Sequence, residues 1–97
     1  MALRNDGRQK IWRKPRMQEV KEVIKEYILE EFLPGENPAA LTDSTPLITG
    51  GILDSLATLR LVLFLEERFK IQIQAHETMA DYLDTVADIA QLVNSKQ

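Results

Sequence analysis

Apolar residues recur along this chain at spacings of three and four, the period of a helix packed on one face. The first stripe runs Met17, Val20, Ile24, Tyr27, Ile28 and Phe32. It predicts a helix over Met17 to Leu33, ended by Pro34-Gly35. Lys21 and Lys25 stand near Glu22, Glu26 and Glu30, a spacing that gives weak intrahelical support. A second stripe, Leu59, Val62, Leu65 and Phe69 with Leu61 beside it, predicts a core-facing helix over Asp54 to Phe69. Asp54 follows Gly50 and Gly51 closely and suits the N-cap. Ile71 and Ile73 alternate with glutamines and read as an extended exit. Glu77 to Leu83 predicts a short helix. Thr85 then caps the last helix, whose core stripe is Val86, Ile89, Ala90 and Val93. Between the first two helices lies a loop over 34–54, rich in proline and glycine and pinned by Leu41, Leu47, Ile48, Ile52 and Leu53. A loop of that length inside a compact domain is often functional. The expected fold is all-α: a small bundle of three main helices plus one short helix.

Composition narrows the function classes. The chain has 97 residues, 44% of them hydrophobic and 28% charged, which suits one small globular domain. There is no apolar run long enough to cross a membrane, and no apolar stretch of the kind a secretion signal carries. Cysteine is absent, which excludes disulfides, thiolate nucleophiles and sulfur-ligated metals. These features lead us to expect a cytoplasmic monomer. Charge is uneven. Residues 1–16 hold six bases and one acid, for +5, and read as a basic flexible arm with Ile11 and Trp12 as its apolar pair. Residues 17–97 hold six bases and fourteen acids, for −8, and form the domain proper. An acidic body without a basic helix disfavours nucleic acid and favours partners with basic patches.

No self-sufficient catalytic constellation emerges. The single histidine, His76, sits among polar residues and reads as a surface side chain. No phosphate-binding loop with its lysine is present, and no Gly-x-Ser-x-Gly elbow. Asp81, Asp84 and Asp88 could share a helical face, and read as a solvated face or caps rather than metal ligands. One place stands apart: Gly50-Gly51-Ile52-Leu53-Asp54-Ser55-Leu56. It puts Ser55 in the first turn of a helix, where free amides and the helix dipole favour a phosphodiester. On the residues alone, Ser55 is either such an attachment point or a spare helix-start serine.

That run, with Leu47-Ile48 upstream, Leu59-x-x-Val62-x-x-Leu65-Glu66-Glu67-x-Phe69 downstream, Ile71-x-Ile73, and Asp84-Thr85-Val86 before the last helix, resembles the acyl carrier protein family. The resemblance covers about residues 17–95. It implies that Ser55 carries 4'-phosphopantetheine, added from coenzyme A by a separate phosphopantetheinyl transferase. It implies that Asp54 supports this step, helping to place the transferase's magnesium. It also implies that the protein is no enzyme but a carrier holding an acyl or aminoacyl group as a thioester. Leu56, Arg60, Leu63 and Glu67 fall on one stripe beside Ser55, with Glu66 at its rim, and form the expected partner-docking surface.

Arg60 departs from the acidic helix of fatty-acid carriers, and Arg68 and Lys70 follow it. The run Ile52-Leu53-Asp54-Ser55-Leu56-Ala57-Thr58-Leu59 is instead similar to D-alanyl and related free-standing aminoacyl carriers, which adenylate-forming ligases load. The expected loading partner is therefore an adenylating ligase, with an acyltransferase as the general alternative. A different class also fits the pattern: an unmodified helical interaction module in which Ser55 is incidental.

Overall fold

The computed structural model describes residues 15–97, and the expected arm, with Ile11 and Trp12, falls outside them except for Pro15 and Arg16. The described residues form four helices: α1 Met17–Phe32, α2 Ser55–Phe69, α3 Ala80–Leu83 and α4 Val86–Ser95. Short 3-10 turns occupy Pro38–Ala40 and Ala75–Thr78. No strand occurs among the described residues, so the fold is the all-α arrangement of three main helices and a short one. None of these helices is long and apolar enough to cross a membrane.

Side chains hold the starts of the three main helices. The Glu19 carboxylate accepts the Arg16 N–H at 2.8 Å. Asp54 accepts from the Ala57 amide, and Thr85 from the Asp88 amide at 3.0 Å. α1 ends through Leu33, one residue short of the expected boundary, and Gly35 takes a left-handed φ of 86° just beyond. α1 packs most extensively on α4. Val20, Ile24 and Ile28 meet Val86, Ile89 and Val93 in one fully buried cluster, which Leu47, Leu61, Leu65 and Leu83 complete. Each such aliphatic side chain contributes about 1.5–3 kcal/mol by leaving water. Tyr27 on α1 stacks on Phe64 of α2 with ring centroids 4.0 Å apart, and its hydroxyl donates to the Arg60 carbonyl at 3.3 Å. Partial burial, then the charge of Glu31, pushes the Tyr27 phenol above its ordinary pKa.

Three local expectations are corrected. Leu59 does not face the core; it is 53% exposed, and Ala57 and Thr58 take the buried places in that turn. The short helix expected over 77–83 is split: the Glu77 carboxylate reaches back to the Gln74 amide at 2.8 Å, and Met79 is extended (φ −90°, ψ 166°) before α3 begins. Lys21 and Lys25 do not serve the α1 glutamates. They close on Asp43 in the long loop, at 3.0 and 2.8 Å, because that carboxylate lies against the same side of α1.

Candidate functional site

Ser55 is the first residue of α2 and is exposed. Asp54 stands immediately before it in extended conformation (φ −83°, ψ −173°), and its Oδ1 accepts the Ala57 amide at 2.8 Å. The Asp54 carbonyl takes the Thr58 amide at 2.9 Å and the Thr58 hydroxyl at 2.8 Å, which satisfies the one buried polar side chain of the turn. Helical geometry leaves the Ser55 and Leu56 amides without a carbonyl inside α2, so the serine stands at the positive end of the helix dipole.

The approach to Ser55 is a fixed turn. Gly51 has a φ of +83°, which a side chain rarely adopts. A Cβ on Gly50 would collide with the Pro46 carbonyl oxygen. The Leu47 carbonyl accepts both the Ile52 and the Leu53 amide at 2.9 Å. Of the pins expected of this loop, Leu41, Leu47 and Leu53 are buried, and Ile48 and Ile52 are partly buried against the core. An open cleft of about 580 Å³ lies beside the serine, lined by Ile48, Leu53, Ser55, Leu59, Met79 and Ala80 among others. Its lining combines these apolar groups with Asp54, Thr58 and Thr78.

Four residues of the expected docking stripe share an exposed side of α2. Leu56 and Leu63 are exposed, as are Arg60 and Glu67, and all project from one side of α2. Leu59 joins them, giving a wider apolar strip than its spacing suggested. Glu66 does not belong to the rim: its carboxylate is half-buried and accepts the Ile73 amide at 2.9 Å, holding the chain after α2.

The acidic positions also separate. Asp81, Asp84 and Asp88 share no helical face, because α3 ends at Leu83 with Asp84 as its C-cap and Asp88 sits in the first turn of α4. Asp84 is a loop anchor, and hydrogen bonds from the Thr49 backbone, the Thr49 hydroxyl and the Ile48 backbone hold its carboxyl below the usual range. Nothing in local sequence spacing marks that role, since its partners lie 35 and 36 residues away. The Asp43 carboxyl is likewise lowered by Lys25 and Lys21, and Glu77 by Lys96 and the Gln74 amide. His76 is exposed, with its ring edge-on to Tyr82 at 6.0 Å.

No protein-family model matches this chain, and no curated protein matches it.

Proposed function

We propose that this chain is a carrier protein, modified on Ser55 and loaded by separate enzymes. The observation that supports it most is an exposed serine at the open end of a capped helix, behind a fixed glycine turn and beside a cleft. The Ser55 hydroxyl would attack the phosphorus of coenzyme A that bears pantetheine. A new P–O bond forms, the pyrophosphate linkage breaks, adenosine 3',5'-bisphosphate leaves, and a base of the transferase takes the hydroxyl proton. Asp54 holds Ser55 at the helix start with one carboxylate oxygen and can offer its charge to the transferase's metal. Bound phosphopantetheine would supply the thiol that this cysteine-free chain lacks, on which the cargo is held as a thioester. Leu56, Leu59 and Leu63 would seat the partner enzyme, while Arg60 and Glu67 set its charge preference.

The loading enzyme we favour is an adenylating ligase, with an amino acid as cargo, on the similarity of the Ser55 segment to aminoacyl carriers and on Arg60. The test is intact mass after incubation with coenzyme A and a phosphopantetheinyl transferase. The parent gains one phosphopantetheine, and Ser55→Ala stays folded and gains none. A parent of unchanged mass, or an increase surviving in Ser55→Ala, overturns the reading. Efficient charging of the modified protein by a malonyl transferase, but not by aminoacyl-adenylate ligases, would leave a general acyl carrier.

A further inference from the structure

The turn that delivers Ser55 is held by a side chain from near the far end of the chain. Asp84 Oδ1 accepts the Ile48 and Thr49 amides, each at 2.9 Å, and Oδ2 accepts the Thr49 hydroxyl at 2.8 Å. The Asp84 carbonyl accepts the Leu47 amide at 2.6 Å. One residue thus binds three successive loop residues. The Leu47 carbonyl passes the constraint on, through the Ile52 and Leu53 amides, to the two residues before Asp54. Hydrogen bonds to an ionised carboxylate are shorter and stronger than neutral ones, so this set forms the firm part of an otherwise irregular segment.

Asp84 also ties together two segments that line the cleft. Ile48 lines it from the loop that Asp84 holds. Met79 and Ala80 line it from the start of the single helical turn that Asp84 ends.

We propose that Asp84 is the positioning residue for Ser55: by clamping 47–49 to α3 it presents the serine hydroxyl and keeps the cleft beside it open. The clamp is a property of the fold. Its consequence for modification rests on the carrier reading of Ser55.

The experiment compares the parent with Asp84→Ala and Asp84→Asn, at a temperature where all are folded. It follows phosphopantetheinyl transfer from coenzyme A and amide hydrogen exchange. In Asp84→Ala the transferase kcat falls about tenfold, because a small misplacement of a reacting group is costly. KM, set by the exposed strip of α2, moves less. The Ile48 and Thr49 amides exchange faster. Asp84→Asn keeps a carbonyl oxygen for both amides and recovers most of kcat. Should Asp84→Ala lose its helical signal, Thr49→Ala removes the Oδ2 contact alone and lowers kcat by a smaller factor. Parent kinetics in the folded Ala variant, or in Thr49→Ala where that stands in, overturn the role of Asp84, as does unchanged exchange at Ile48. A parent that is never modified overturns the carrier reading instead, while the exchange data still decide whether Asp84 holds the loop.

Discussion

The two ends of α2 are held in different ways. The approach to its N-terminus is tied to distant parts of the chain. Asp43 is gripped by Lys21 and Lys25 of α1, and its carbonyl accepts the Ala87 amide of α4 at 3.0 Å. Asp84 holds 47–49 from the α3–α4 junction. The exit from its C-terminus is tied mostly to neighbours: the Glu66 carbonyl takes the Lys70 and Ile71 amides, the Glu66 carboxylate takes Ile73, and Glu77 takes Gln74. One longer tie, Lys96 to Glu77 at 2.8 Å, completes it. Distant ties cost more chain entropy to close than local ones. The end bearing Ser55 is thus fixed by the whole fold, and the other end by its own sequence.

The largest effect should come from disturbing the approach directly. Gly50→Ala places a methyl group against the Pro46 carbonyl oxygen, a backbone atom that cannot swing away. Overpacking of this kind costs about 1–3 kcal/mol. For a domain of this size each kilocalorie lowers the thermal midpoint by about 4–8 °C. Calorimetry checks it, and a midpoint equal to the parent's would mean that the approach is not held tightly.

That asymmetry also explains what the sequence discloses. Caps are contacts over three residues, so Asp54 and Thr85 are visible in the pattern and fall where expected. Helical stripes are visible too, yet a stripe does not state which side is buried. Leu59 continues an apolar series and still faces outward, because Ala57, Thr58 and Leu61 bring α2 closest to the core. The place of Ser55 in the first turn of α2 follows from its cap and was legible. The anchors of its loop were not: Asp43 and Asp84 look like ordinary surface acids until the fold brings Lys21, Lys25, Ile48 and Thr49 to them. Glu66 was misread for the same reason, since nothing in its helical position announces the Ile73 amide.

Acid should weaken the approach more than the exit. The carboxyls of Asp43, Asp84 and Glu77 all lie below their ordinary pKa values, so the unfolded chain takes up protons first as pH falls. Their contribution is complete above the ordinary carboxylate range of about 4 and is lost as pH drops through the lowered folded values. Two of these acids hold the approach and one holds the exit. The thermal midpoint of the parent should decline on acidification below about pH 4, and the double variant Asp43→Asn, Asp84→Asn should decline less steeply than Glu77→Gln. The opposite ranking would place the charge-dependent hold at the exit and break the comparison.

The smallest effect belongs to the exit and has the opposite sign. Lys70 closes α2 with a φ of 57°, the left-handed conformation that glycine adopts without a Cβ penalty. A residue with a side chain gives up about 1–2 kcal/mol there, and glycine offsets part of that by losing about 0.5–1 kcal/mol more chain entropy on folding. Lys70→Gly should therefore stabilise the domain by up to about 1.5 kcal/mol. The Glu66 carbonyl would keep both amides, because the left-handed geometry that delivers them is unchanged. The site should not notice: α2 rises 1.5 Å per residue, which sets Lys70 roughly 20 Å from Ser55. Denaturant unfolding combined with the rate of phosphopantetheine uptake checks both halves. A destabilised variant would show that the Lys70 side chain itself packs at the exit, and a changed uptake rate would show that the two ends of α2 are coupled rather than held independently.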